Sequence, residues 1–198
     1  MGLNQSAFIR GRSILDNFML VQNAIRSLHR KKSPAVFLKL DLARAFDSVS
    51  WPFLLQVLRA RGFGELWCAW IVSILSSSSS KILVNGHASE RVWHRRGLRQ
   101  GDPLSPLLFV LVMDVLAAIF NAAEEKNLFS PLVDFGVKFR LSLFADDVAL
   151  VVKPVEREIR VAMQIFELFG DASGLRVNYL KSAVTLIRCE QIDCGHLL

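Results

Sequence analysis

The stretch LSLFADDVALVV, residues 141–152, sets two adjacent carboxylates inside an otherwise apolar segment. The residues on both sides of Asp146 and Asp147 favour β-strands, so the segment predicts a hairpin with strands over 141–144 and 148–152 and the carboxylates at its tip. A carboxylate is costly wherever it is desolvated and unpaired. We therefore expect the pair to lie at an open cleft.

A second carboxylate follows a strand much earlier in the chain. The segment AVFLKLDL, residues 35–42, is typical of a short buried strand, and it carries Asp41 near its end. Amphipathic or apolar patterns predict helices over 11–32, 51–61, 65–75, 104–120 and 156–174, a hairpin over 81–95 after a polar linker at 76–80, and a last strand before residue 187.

This order of elements predicts an α+β fold with a split βαβ, ferredoxin-like sheet. In such a sheet the strand that ends at Asp41 lies beside the hairpin that carries Asp146. The two carboxylates would then face each other at one end of the sheet, although they are far apart in the chain.

Within the first helix, Ser13 is the predicted N-cap and Asp16 completes a capping box. The spacing of its apolar residues predicts one inward face, formed by Leu15, Phe18, Gln22, Ile25 and Leu28.

Composition narrows the class of protein without deciding it. The chain has 198 residues, of which 52% are hydrophobic, which predicts one packed domain rather than a disordered chain. The net charge of +6 fits a polyanionic partner such as nucleic acid, and it equally fits an ordinary, mildly basic protein. Three cysteines with no metal-like spacing, and no signal peptide, favour an intracellular setting, with nucleus or cytoplasm left open.

One apolar segment, LSPLLFVLVMDVLAAIF at residues 104–120, resembles a membrane helix in composition. It is short for a span, and Asp114 lies in its middle. We predict a buried core helix and no membrane contact.

Clustered carboxylates indicate a cation. They repel one another unless a cation lies between them, and oxygen ligands with room for phosphates suit Mg²⁺. Two metal ions bridged by carboxylates are a common device for nucleotidyl transfer. The simpler interpretation is that Asp146 and Asp147 are ordinary turn residues, because Asp favours turns.

Five segments resemble, in order, the reverse transcriptases of non-LTR (LINE-type) retrotransposons. They are QSAFIRGRSILDNFMLVQNAI (fingers), LKLDLARAFDSVSW (first palm motif), RGLRQGDPLSPLLFVLVMDVL (substrate-handling loop and helix), LFADDVAL (catalytic hairpin) and GLRVNYLKS (the motif after the palm helix). In the hairpin, Phe144 replaces the Tyr of many relatives. The resemblance covers residues 4 to 187 and implies a right-hand polymerase palm with part of the fingers.

The resemblance also implies site residues. Asp41, Asp146 and Asp147 would be catalytic metal ligands for two Mg²⁺ ions, with Mn²⁺ as a substitute. Lys181 would assist the leaving pyrophosphate, and Phe46 would lie beneath the sugar and favour deoxynucleotides; alternatively, Phe46 is a core aromatic and Lys181 a surface lysine. The remaining nucleotide- and template-binding residues implied are Leu42, Ala43, Arg44, Gln100 and Gly101. Asp47 and Asn178 would have structural roles.

The implied function is RNA-directed DNA polymerisation, in which deoxynucleoside triphosphates extend a DNA primer on an RNA template. Residues 1–198 would be a single partial domain, with fingers-side elements at 1–35 and 62–100, palm at 36–61 and 101–187, and a tail at 188–198. The family's first fingers segments, primer grip and thumb would be lacking, so we expect self-association through surface exposed by truncation.

Two alternatives stay open. One is an inactive retrotransposon remnant with residual nucleic-acid binding. The other is a metal-dependent nucleotidyl cyclase on the same core, which the loop at 100–103 and the position of Phe46 disfavour.

Overall fold

The computed structural model describes residues 5–132 and 140–189. The helices are α1 (Ile14–Arg30), α2 (Ala45–Ser48), α3 (Trp51–Ala60), α4 (Glu65–Ser76), α5 (Ser105–Glu125) and α6 (Glu156–Ser173). The strands are β1 (Ala35–Asp41), β2 (Ser79–Ser80), β3 (Leu83–Val84), β4 (His87–Ala88), β5 (Val92–Trp93), β6 (Leu141–Phe144), β7 (Asp147–Val152) and β8 (Ala183–Ile187). A 3₁₀ turn, Tyr179–Lys181, precedes β8.

The main sheet has four strands in the order β6-β7-β1-β8, and every pair in it is antiparallel. In the central pair, Asp41 of β1 lies opposite Asp147 of β7. The end of β1 therefore meets the tip of the β6–β7 hairpin. The predicted α+β class, the hairpin and the neighbouring positions of β1 and β7 are all confirmed.

One face of the sheet packs against the helices. Val36, Leu38 and Leu40 alternate along β1 and enter a single apolar core with residues of α3, α4, α5 and α6. Helix α5 is long and apolar enough to cross a membrane, but much of it lies in this core. Its Asp114 is only 5% exposed and forms an ion pair with Arg61. A core helix accommodates this carboxylate because the arginine neutralises it.

Helix α1 lies on the opposite face, and the predicted inward face is only partly correct. Ser13 caps the helix by accepting a hydrogen bond from the Leu15 N–H at 3.0 Å. Leu28 is buried, but Leu15 is 68% and Phe18 59% exposed. The buried contacts of α1 lie towards its C-terminal end, so helical periodicity overestimated how far the helix is covered.

The segment from residue 76 to 95 also differs from its prediction. The expected polar linker contains β2, which pairs with β5, and the expected single hairpin consists of this outer pair and the inner pair β3–β4. Serines can pair here because a strand ladder uses backbone groups rather than side chains. The Asn85–Gly86 turn is correct, with positive φ at both residues.

The division into fingers-side and palm elements stays a prediction. Most of the predicted tail at 188–198, and Cys194 with it, lies outside the described residues.

Candidate active site

Asp41 and Asp146 line one cleft, at the end of the sheet where the prediction put them. The cleft has a volume of about 430 Å³ and is lined by Asp41, Leu42, Ala43, Arg44, Ala45, Phe46, Asp47, Gln100, Asp146, Asn178 and Lys181. Both carboxylates are half-buried. Residues from four separate parts of the chain thus surround one space with acidic, basic and backbone groups.

The hairpin turn directs Asp146 to the cleft. Phe144 pairs with Asp147, which leaves Ala145 and Asp146 as a two-residue turn. Ala145 has φ of 52°, in the left-handed region that residues with a Cβ rarely adopt. Such strain persists only where the surrounding structure imposes it, and it clusters at functional sites.

Asp147 does not line this cleft, although it was predicted as a third metal ligand. Its side chain is exposed, and its Oδ1 lies 3.9 Å from Nζ of Lys39. It lines a separate groove of about 660 Å³ between α1 and the sheet. Asp147 begins β7 and has the regular pairing of a strand residue, whereas Asp146 occupies the turn. The adjacent residues Asp146 and Asp147 therefore line two different cavities.

The backbone after β1 turns sharply into the cleft. Arg44 precedes α2 with φ of 48°, a second left-handed residue that is not glycine, and its side chain is exposed. Phe46 lines the cleft and also stacks on Phe109 of α5, with ring centroids 4.7 Å apart. Both interpretations of Phe46 therefore describe real contacts, one with the core and one with the cleft.

The loop before α5 is fixed to this segment by backbone contacts. The Leu98 N–H donates to the Phe46 carbonyl at 2.6 Å, and a Cβ added to Gly97 would lie 2.6 Å from the Asp47 carbonyl oxygen. Gln100 reaches the cleft by donating from Nε2 to Oδ1 of Asp47 at 3.2 Å. Asp47 thus has the predicted structural role of a hydrogen-bonding carboxylate.

Gly101 lies outside the cleft lining. It is exposed with φ of 90°, and a Cβ built there meets none of the described atoms within 4 Å. The contact of Gly101 with the incoming nucleotide or template stays a prediction.

The segment after α6 is hydrogen-bonded to the end of β1 and brings Lys181 to the cleft. The Asn178 N–H donates to the Asp41 carbonyl at 2.8 Å, and the Ala43 N–H donates to the Arg176 carbonyl at 2.8 Å. The Asp41 N–H donates to Oγ of Ser182 at 3.2 Å. Asn178 shapes this loop, as predicted, and its place in the cleft lining was not foreseen.

The donor set of the cleft fits a hard divalent cation. Asp41 and Asp146 offer carboxylate oxygens, and the described residues contain no group of three His, Cys, Asp or Glu that would enclose an ion. Mg²⁺ commonly binds through one or two carboxylates, completed by substrate phosphates and water. Such an open, oxygen-based site matches Asp41 and Asp146, and the role of Asp147 as a further ligand stays a prediction.

A carboxylate cleft at the end of an antiparallel sheet that packs against helices is consistent with the palm and fingers of a polymerase. The chain belongs to the family described as reverse transcriptase (RNA-dependent DNA polymerase), whose sequence profile matches residues 1–194.

Two relatives come from transposable elements. The chain is 29% identical over 190 residues to the transposon TX1 uncharacterized 149 kDa protein of Xenopus laevis, covering 96% of this chain and 14% of that protein. It is 31% identical over 137 residues to the retrovirus-related Pol polyprotein from the type-1 retrotransposable element R2 of Popillia japonica, covering 69% of this chain and 22% of that protein. The chain thus spans a small part of these relatives, and the resemblance to non-LTR elements is confirmed.

The fold is also that of a solved telomerase. A telomerase from Candida albicans, in complex with a fragment of telomeric RNA, aligns with 92% of this chain and 32% of that one, with a TM-score of 0.62 and 16% sequence identity. The likeness establishes the shared fold.

Proposed function

We propose that this chain carries the polymerising centre of an RNA-directed DNA polymerase, which adds deoxynucleotides to the 3′-hydroxyl of a DNA primer on an RNA template. The single observation that carries the proposal is that Asp41 and Asp146, about 100 residues apart in the chain, line the same cleft. That cleft is also lined by residues 42–46 and by Lys181.

The carboxylates would hold the metal ions. When bound, two Mg²⁺ ions, or Mn²⁺ in their place, supply Lewis-acid activation of the primer hydroxyl and neutralise charge on the triphosphate. Asp41 and Asp146 orient that centre because each is fixed by its own backbone, one at the end of β1 and one in a strained turn. The reaction joins the primer oxygen to the α-phosphate and releases pyrophosphate.

The opposite wall would hold the nucleotide. The backbone of Leu42, Ala43 and Arg44 borders the space where a triphosphate would lie, and Arg44 adds positive charge. Lys181 would stabilise, or give a proton to, the leaving pyrophosphate. Gln100, held by Asp47, would contact the nucleotide or the template.

Phe46 would select the sugar. Its ring is backed by Phe109, so it has little freedom to move away from a bound nucleotide. A ribose 2′-hydroxyl would collide with a ring held in this way, and deoxynucleotides would be preferred.

Primer extension with Mg²⁺ and deoxynucleotides on an RNA template tests the proposal. Circular dichroism should first show that the chain, Asp146→Asn and Asp16→Asn are equally folded. Asp16 is an exposed carboxylate on α1 and is not among the residues that line the cleft. We expect extension by the chain and by Asp16→Asn, and none by Asp146→Asn.

A second candidate is an inactive remnant that binds nucleic acid through its basic surface, and the net charge of +6 favours such binding. Salt-sensitive RNA binding by a folded chain that does not extend a primer would support the remnant and contradict the proposal.

A further inference from the structure

The start of the described chain lies against the outer edge of the catalytic hairpin. Gln5 forms an isolated parallel bridge with Leu143 of β6, and the Ser6 N–H donates to the Leu143 carbonyl at 3.1 Å. Gln5 is 1% exposed, which is uncommon for a glutamine. The burial of this polar side chain needs an explanation beyond the cover that it gives to the edge of β6.

The side-chain amide of Gln5 accepts hydrogen bonds from three backbone donors. Its Oε1 lies 2.9 Å from the N atoms of Ser6 and Ala7 and 3.4 Å from N of Ala145. The third donor belongs to the left-handed residue that turns the hairpin towards the cleft.

These three donors fix which way the amide points. Reversing it would set an NH₂ group against three N–H groups, so the oxygen must face them. The Nε2 atom then lies buried with no hydrogen-bond partner among the described residues. A side chain that keeps its orientation while leaving its own donor unsatisfied is held by its role as an acceptor.

We propose that Gln5 is a positioning residue for Asp146. Its carbonyl oxygen holds the Ala145 N–H, and that hydrogen bond maintains the left-handed conformation that directs Asp146 into the cleft. The catalytic consequence rests on the proposed function, whereas the effect on the turn does not.

Asn17 of α1 provides a contrast, because it contacts the same hairpin without reaching its tip. Its Nδ2 donates to the Leu143 carbonyl at 3.1 Å, and its Oδ1 accepts from Oγ of Ser142 at 2.9 Å. Asn17 therefore stabilises strand β6, and among the described residues only Gln5 donates or accepts at the backbone of Ala145.

The test begins with Gln5→Met, which removes the acceptor, beside Gln56→Met, the same substitution at an exposed position of α3. Hydrogen exchange of single amides by NMR reports the turn directly. We expect the Ala145 amide to exchange about tenfold faster in Gln5→Met only, with Leu150 in β7 unchanged in both variants. Gln5→Asn serves if Gln5→Met does not fold, because Asn can still accept from a nearby backbone N–H but is too short to reach Ala145.

The Ala145→Gly substitution distinguishes a positioning role of Gln5 from a general contribution of Gln5 to stability. Glycine adopts the left-handed conformation without help, so the double variant should no longer need the Gln5 oxygen. We expect Mn²⁺ affinity, measured by water proton relaxation, to fall at least threefold in Gln5→Met and to recover in the double variant. The kcat of primer extension should follow the same pattern with little change in KM for the nucleotide.

The proposal would be overturned if the Ala145 amide exchanged at the wild-type rate in a folded Gln5 variant. It would also be overturned if that amide exchanged faster but Ala145→Gly did not restore the Mn²⁺ affinity. A wild-type chain that does not extend primers would count against the proposed function alone, because exchange and Mn²⁺ binding still decide the role of Gln5.

Discussion

Asp41 and Asp147 lie opposite each other in the β1–β7 ladder, yet only Asp41 lines the cleft. The partner of Asp41 within that space is Asp146, the neighbour of Asp147 in the hairpin turn. Position in the turn, rather than pairing in the sheet, thus separates the residue that lines the cleft from the one that lines the groove beside α1.

The two adjacent carboxylates should therefore differ in their effect on activity. Removing one charge from Asp146 should lower kcat by about 10³-fold, a loss typical of groups that stabilise developing charge. Asp147→Asn should lower it by less than about tenfold, because the carboxylate faces Lys39 and the groove beside α1. Single-turnover primer extension by Asp146→Asn and Asp147→Asn measures both. Equal losses would show that Asp147 belongs to the site.

Replacing Phe46 should affect both sugar selection and stability. Phe46→Ala should increase the use of ribonucleotides relative to deoxynucleotides and destabilise the fold by about 2 kcal/mol through loss of the stacking contact. Phe109→Leu removes the same stacking from the buried side and serves as the control. We expect it to destabilise the chain and to change the kcat/KM ratio of the two nucleotides less than Phe46→Ala does, because the Phe46 ring stays in the cleft and loses only its backing. An unchanged ratio in Phe46→Ala would mean that Phe46 acts only as a core residue.

Two glycines with the same backbone conformation should respond differently to alanine. Gly174 and Gly62 both have φ of 83°, but an added Cβ would lie 2.2 Å from the Ser48 carbonyl oxygen at Gly174 and in open space at Gly62. Gly62→Ala should cost about 1 kcal/mol in the free energy of unfolding, from conformational strain alone. Gly174→Ala should cost at least about 3 kcal/mol, because backbone must move. Urea unfolding compares them, and similar midpoints would contradict the close approach.

A buried arginine should contribute far more than an exposed one. Arg140 is buried, forms ion pairs with Glu124 at 2.6 Å and with buried Glu158 at 3.5 Å, and donates to the Ser130 carbonyl at 2.7 Å. Arg140→Met should destabilise the chain by about 3–5 kcal/mol, because it leaves Glu158 without its counter-charge.

Arg160 supplies the comparison for Arg140. It pairs with Glu156 on the exposed surface of α6, so Arg160→Met should cost less than about 1 kcal/mol. Thermal unfolding at one pH measures both arginine variants. A small effect at Arg140 would mean that the buried network contributes little net stability.

The central elements were predictable because their signals are local. Strand β1 and the β6–β7 hairpin have short apolar runs with defined ends, and those ends carry Asp41 and Asp146. Split βαβ connectivity then predicts that the two strands are neighbours. Lys181 reaches the cleft through the loop that the resemblance identified.

The remaining features depend on contacts that no local pattern encodes. The spacing of apolar residues identifies the apolar face of α1, but it does not indicate that this face is largely exposed in the first half of the helix. The separation of Asp147 from the cleft follows from the turn conformation at Ala145. Gln5 was not foreseen as a partner of the hairpin, because its hydrogen bond with Ala145 joins residues 140 positions apart. The one signal in the sequence for a special contact at this turn was Ala145, an alanine at a turn position that favours glycine.

The order of strands in the sheet has a consequence for biosynthesis. Strand β1 is made before both of its neighbours, β7 and β8, which follow about 100 residues later or more. A nascent chain emerging from the ribosome therefore presents an apolar strand with two unpaired edges until those strands emerge, a state that favours aggregation or chaperone binding. The hydrogen bond from the Asp41 N–H to Ser182 joins residues 141 positions apart, so the environment of Asp41 is complete only after residue 182 has been synthesised.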